Sequence, residues 1–296
     1  MKIIPPVTVT DSIYTGGDIP ETDASAWSNV TAYTVGNQAV YSHSLYEALT
    51  NNTNKQPDLY PADWVRVSAT NAWKLFDYYS NSATSQAVSF EVELTMPYTC
   101  NALALFGLVG ASVDISVVYN SVEIYSSSTK ITVRPDAAGS WYGWLFGRFV
   151  QVGELSFTAG LPLPQGAVLT ITVYANTGDN AQCAALVFGR SVAVGDTQYG
   201  SSVGLLDYSV ISENAYGDLD ITPGASYRSA DFDVFVTPSE SDYVQRTLNG
   251  LRAQPVAFIG SDDFAATKVL GIIRDAPLSY RDCASVMLSL NIRGVL

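Results

Sequence analysis

Strict alternation of apolar and polar residues recurs along the middle of the chain. Phe90, Val92 and Leu94 alternate with polar partners, Val113, Ile115 and Val117 repeat the pattern, and Leu169, Ile171 and Val173 repeat it again. Side chains on a strand point to opposite faces with period two, so each segment predicts a strand with one buried face. Turn residues between such segments give an antiparallel sandwich, one face buried per sheet. Glu91 and Glu93 then share the solvent side of their strand. A fourth set, Phe232, Val234 and Val236, predicts a strand in the C-terminal third, where PVAFIG, KVLGIIRD and ASVMLSLNIRGVL add more. One segment has helical spacing instead: Val244, Leu248 and Leu251 in SESDYVQRTLNGLRAQ. Thr237 as cap, Pro238 at the first helical position and Glu240 closing a capping box predict its start, and Pro255 its end, for a helix near 238–252.

The same pattern divides the chain into four parts. Residues 1–23 hold Pro5, Pro6, Gly16, Gly17 and Pro20 around short β-prone pieces, and read as an extended arm. Such an arm is either solvated or lies along a neighbouring subunit, pairing with an exposed strand edge. Residues 24–68 form a small aromatic-rich module, 69–194 the β-sandwich, and 195–296 a β-rich assembly domain carrying the one helix. The fold class is all-β. Composition agrees, because 15% of residues are charged while Tyr, Ser, Thr and Val abound, which favours pleated, half-buried surfaces.

A formal net charge of -13 opposes binding to nucleic acid or an anionic membrane. The longest apolar run, Ala102 to Ala111, is too short for a spanning helix, so no membrane insertion is expected. Pro5 and Pro6 interrupt any secretory h-region at the N-terminus. Cys100, Cys183 and Cys283 are far apart and form no CxxC pair, so they read as reduced, buried small hydrophobes, in keeping with assembly in a reducing cytoplasm.

Catalytic chemistry finds little support. The one histidine, His43 in YSHSLY, alternates with Tyr41 and Leu45, which places it on a strand as a hydrogen-bonded structural residue. HExxH, GxxxxGK[ST] and GxGxxG are absent. No zinc set and no cofactor is implied. Calcium has only the acidic pairs Asp218 and Asp220, Asp231 and Asp233, and Asp262 and Asp263, without EF-hand spacing. Two sticky surfaces stand out instead. One is SWYGWLFGRF, where Trp141, Tyr142, Trp144, Phe146 and Phe149 either close the sandwich core or contact another subunit. The other is the small module, whose Trp27, Tyr33, Tyr41, Tyr46 and Trp64 offer flat faces to a sugar ring, with Asn51, Asn52 and Asn54 as polar neighbours.

Three resemblances attach to these residues. The order Trp27, Tyr33 with Gly36, the Leu45-Tyr46-Ala48 strand, Pro57 and Trp64 resembles the chitin-binding type 3 carbohydrate-binding modules. That likeness implies a glycan ligand held by the five aromatics. Trp27, Tyr33 and Trp64 match its framework positions, however, and the usual exposed aromatic is replaced by Leu49 and Thr50. The stretch NAWKLFDYYSNSATSQAVSFEVEL followed by NALALFGLVGASVDISVVY resembles the galactose-binding-like jelly roll. Over nearly the whole chain, MKIIPPVTVTDS, ATNAWKLFD, G-x-T-x-Y-G, L-x-D-Y-S, LRAQPVAFIG, VLGIIRD and the closing L-x-L-x-I-x-G are together similar to structural proteins of bacteriophage tail modules. This implies a non-enzymatic virion component at the tail tip, baseplate or a fibre-attachment point, built as a symmetric oligomer in the host bacterial cytoplasm. Its expected partners are other tail proteins and copies of itself. Two alternatives are a carbohydrate-binding adhesin that contacts host surface glycan and a polysaccharide depolymerase. A monomer that blunts its own sheet edges is the alternative to assembly.

Overall fold

The computed structural model describes residues 1–79, 82–133, 141, 150–158, 160–213, 218–280 and 286–296. The chain is all-β, with antiparallel strands in several sheets. The first residues supply β1 (Lys2–Ile4) and β2 (Tyr14–Gly17), and the small module β3 (Ala32–Tyr33), β4 (Gln38–Tyr41), β5 (Ser44–Ala48), β6 (Asn52–Thr53) and β7 (Trp64–Ala69). The middle region adds β8 (Thr84–Ala87), β9 (Ser89–Thr95), β10 (Ala102–Phe106), β11 (Ser112–Tyr119), β12 (Val122–Lys130), β13 (Thr132–Val133), β14 (Val150–Gln151), β15 (Leu155–Phe157), β16 (Val168–Tyr174), β17 (Asn180–Cys183), β18 (Ala185–Gly189) and β19 (Val192–Ala193). The C-terminal region contains β20 (Asp196–Thr197), β21 (Ser202–Asp207), β22 (Val210–Glu213), β23 (Leu219–Thr222), β24 (Ser226–Val236), β25 (Val256–Ile259), β26 (Lys268–Asp275), β27 (Leu278–Tyr280) and β28 (Val286–Gly294).

Three of the sheets are stacked in layers. A five-stranded sheet, β12-β11-β16-β9-β2, turns Phe90, Val92, Leu94, Val113, Ile115, Val117, Leu169, Ile171 and Val173 inward, as the alternation predicts. Facing it is β15-β10-β18, which contributes Leu103, Leu105, Leu186 and Phe188 to the same core. The other face of β10 and β18 is buried as well. Ala102, Ala104, Phe106, Ala185 and Val187 pack there against Ala257, Ile259 and Leu270 of the C-terminal sheet. This explains the continuous apolar run at Ala102: a strand buried on both faces reads as unbroken hydrophobicity. The C-terminal sheet, β19-β1-β25-β26-β28-β24-β20 with β21 and β27 attached, buries its opposite face under the helix Ser241–Gly250, through Val244, Leu248 and Leu251.

The N-terminal residues depart from the expected arm, whether solvated or lent to a neighbour. They pair within their own chain. β1 lies between β19 and β25, and β2 edges β9. The physical reason is local: Ile3 and Ile4 point to opposite faces and each finds a core, Ile3 beneath the helix and Ile4 in the seam between sheets. Gly189 permits the approach, since a Cβ there would lie 2.5 Å from the carbonyl oxygen of Pro5.

Two local expectations are also corrected. The helix begins at Ser241, after a 3-10 turn at Pro238–Glu240, and Thr237 makes no side-chain cap bond. The Ser241 hydroxyl donates to the Pro238 carbonyl instead, at 2.8 Å. His43 is not on a strand: with Ser42 it forms the two-residue turn between β4 and β5, φ being 44° and 58°, the left-handed pair of a type I′ hairpin. The segment before β24 contains the strand β21 and the hairpin β22-β23. Cys100 and Cys183 are buried free thiols, their pKa values pushed up by burial to about 11 and about 12. Cys283 and residues Tyr142, Trp144, Phe146 and Phe149 of the aromatic cluster lie outside the described residues, while Trp141 is largely exposed. Among the described residues no helix is long and apolar enough to cross a membrane.

Ile4→Ala should lower stability by about 2–5 kcal/mol, the usual result of emptying a fully buried Ile site, as read from the urea midpoint. Thr8→Ala, on the exposed stretch that follows, is the control. Equal midpoints for the two variants would show that the N-terminal strand is not seated in the seam.

Candidate functional site

The five aromatics of the small module gather on one side of the sheet β4-β5-β7. The register pairs Ala39 with Tyr46 and Ala48 with Trp64, so period two puts Ala39, Tyr41, Tyr46, Ala48 and Trp64 on a common face. The pair β3-β6 brings Tyr33 to this face, where it meets Trp64 edge-on at 5.0 Å. Tyr33, Ala39, Ala48 and Trp64 form the module's core, with Trp27 and Tyr46 packed against it. Trp27 also meets Tyr41 edge-on at 5.7 Å.

Burial sorts these residues by what they can do. Trp64 and Tyr33 are only 2% and 7% exposed, so neither presents a ring face to a ligand. Their polar atoms serve the fold: Trp64 Nε1 donates to the Lys55 carbonyl at 2.9 Å, and Tyr33 Oη accepts from the Ser28 amide at 2.8 Å. Trp27, Tyr41 and Tyr46 are half-buried, and Gln56 Nε2 donates to Tyr41 Oη at 2.6 Å. At the positions where a platform is expected, Leu49 and Thr50 are exposed, but the Thr50 hydroxyl donates to Asp63. Two of the three asparagines also work internally. Asn51 Oδ1 accepts from the Val35 amide at 3.1 Å, and Asn52 Nδ2 donates to the Thr50 carbonyl at 3.0 Å. Asp63 is held below the usual carboxylate range, first by the hydrogen bond from Lys55 at 2.7 Å and then by Thr50.

A second feature, absent from the sequence reading, lies where the module meets the rest of the chain. His43 stacks on Trp73 with ring centroids 4.2 Å apart. Glu21 accepts from both: its carboxylate lies 2.9 Å from His43 Nδ1 and 3.1 Å from Trp73 Nε1. Asp11 reaches His43 Nε2 at 3.1 Å. This clasp borders a cleft of about 810 Å³ between the residue 6–12 stretch, the β4-β5 turn, Trp73 and Pro255. A groove of about 860 Å³ shares Asp77, Tyr78 and Pro255 with it and continues to Arg274 and Arg293. Burial pushes the Asp77 carboxyl and the Tyr78 phenol up. Arg293 stands over the rings of Tyr208 and Tyr227, at 5.4 and 5.6 Å from their centroids. ATNAWKLFD contains Trp73, but no local pattern joins it to His43 or Glu21, which come from separate stretches of sequence.

Carboxylates in two of the three acidic pairs nominated for calcium have protein partners. Asp231 accepts from Asn291, Asp233 from Ser289 at 2.7 Å, and Asp262 from Lys2 at 2.9 Å and Thr158 at 3.1 Å. Among the described residues no cluster of three or more such ligands occurs. No protein-family model matches the chain, and no curated protein does so.

The burial pattern gives two expected outcomes. Trp64→Ala should cost about 3–5 kcal/mol and unfold the module, whereas Tyr46→Ala should leave it folded, as read by near-ultraviolet circular dichroism. The stabilisation from Asp63 is fully present above the unfolded-state value of about 3.9 and is lost as pH falls through the depressed native value. Acid titration followed by tryptophan fluorescence should therefore show a transition that Asp63→Asn flattens; an unchanged curve would contradict the Lys55-Asp63-Thr50 linkage.

Proposed function

We propose that this chain is a non-enzymatic structural component of a bacteriophage virion, seated at the tail tip, the baseplate or a fibre-attachment point, and that it works as a symmetric oligomer. It assembles in the host bacterial cytoplasm and resides in the virion tail, with copies of itself and other tail proteins as partners. In this reading it neither binds nucleic acid nor inserts into a membrane. The supporting observation is the hairpin β22-β23, whose every residue is exposed although Val210, Ile211, Leu219 and Ile221 are large aliphatics. A ribbon of that kind on a solitary molecule invites edge pairing and aggregation; on an assembling subunit it is covered. The chain-long sequence resemblance supplies the virion context.

Light scattering behind size exclusion should give an integral multiple of the chain mass, and electron microscopy should place the chain on the tail of intact particles. A monomer at every concentration, together with absence from purified particles, would overturn the proposal.

A second reading, an adhesin touching host glycan, is favoured by Trp27, Tyr41 and Tyr46 standing half-buried on one side of the module. Tyr46→Ala is the discriminating variant, because Trp64 is a core residue. Loss of glycan-array binding with the fold intact supports the adhesin; absence of binding by the unaltered chain removes it.

A further inference from the structure

The ribbon β22-β23 has a side that its own chain leaves uncovered. Its register pairs Ile211 with Ile221 and Glu213 with Leu219, so these four share one face, while Val210, Ser212, Asp220 and Thr222 share the other. Ile211, Leu219 and Ile221 are 64%, 65% and 58% exposed. A two-stranded hairpin alone is at best marginally stable in water, so this face gains most from a partner.

A groove of about 500 Å³ lies elsewhere on the same domain, between the C-terminal end of the helix and the end of β26. Ile272 and Ile273 line it half-buried, and Arg252 and Arg274 line it exposed. Among the described residues neither guanidinium forms an ion pair. The one acid in the lining, Asp275, accepts from the Ala276 amide at 2.9 Å. Two cations against one anion make this groove an exception on a chain of net charge -13.

We propose that the hairpin of one copy docks into this groove of the next, with Ile211, Leu219 and Ile221 against Ile273, and Glu213 facing Arg252 and Arg274. The inference rests on the oligomer reading and names its two surfaces. Charge selects the occupant: hairpin against hairpin would set Glu213 beside Glu213 without a cation, whereas the groove supplies two. The ribbon continues from β21 and β24, while the groove is at β26, separated from β24 by β28. Different patches on the two copies make the contact heterologous, the kind that closes into a ring or extends as a filament. Opposed charge also steers encounter between otherwise repelling copies.

The test mixes two defective variants. Ile211→Ser with Ile221→Ser removes the hairpin face but keeps the groove; Arg252→Glu with Arg274→Glu does the reverse. Each variant alone should sediment as a monomer under conditions where the unaltered chain associates, with unchanged circular dichroism. Mixed, they should form a one-to-one dimer that grows no further, because each retains one good surface, and added salt should weaken that dimer at least tenfold. An unaltered chain that stays monomeric overturns the oligomer reading along with this contact. An oligomer indifferent to either pair of substitutions, or a mixture that fails to pair, overturns the contact alone and points to a different tail protein as occupant.

Discussion

The structure depends on two paired strands that have no solvent face. β10 and β18 send Leu103, Leu105, Leu186 and Phe188 into the sandwich core, and Ala102, Ala104, Phe106, Ala185 and Val187 into the seam with the C-terminal sheet. Leucines and Phe188 fill the space between the sandwich sheets, Phe106 and Val187 stand beside three alanines in the seam, and interiors packed at crystal-like density leave little tolerance for exchanging the two sets. The middle and C-terminal regions are consequently joined by a buried interface of apolar side chains, unlike the more polar contacts usual between domains that move.

The remaining parts hang on this stack. The N-terminal strand enters the C-terminal sheet beside β25 and closes the seam with Ile4, and β2 lies along the far sheet at β9. A single stretch of about twenty residues thus touches the outer and inner layers alike. The small module joins differently, through a polar clasp in which Glu21 binds both His43 and Trp73. Opening such a contact exposes less apolar surface than opening a hydrophobic seam would.

Much of the fold was legible because burial was one-sided. The strands carrying Phe90, Val113, Leu169 and Phe232 alternate cleanly, and the helix shows itself at Val244, Leu248 and Leu251. Legibility fails where that condition fails. β10 and β18 are buried on both sides and carry no alternation. β22 and β23 are exposed on both sides, so Ile211 and Ile221 have no polar-facing contrast to mark a core. His43 was misplaced because a type I′ turn keeps the strand rhythm on either side of it. At the candidate site, the aromatics of the module were found as a set, but sequence alone could not say which rings face inward; Trp64 and Tyr33 do. The clasp was invisible because its members are brought together by tertiary packing.

The position of β1 has a consequence for how the molecule is made. Its neighbour β25 lies near the opposite end of the chain, with Ile3 set against Phe258. β1 can meet β19 earlier, but it cannot complete its pairing until β25 has also been synthesised. Non-local pairing of this kind slows folding and prolongs the exposure of apolar strand edges. Pro5 and Pro6 follow this strand directly, and prolines beside an aggregation-prone segment act as gatekeepers. In the growing chain, they guard a strand whose second partner arrives late.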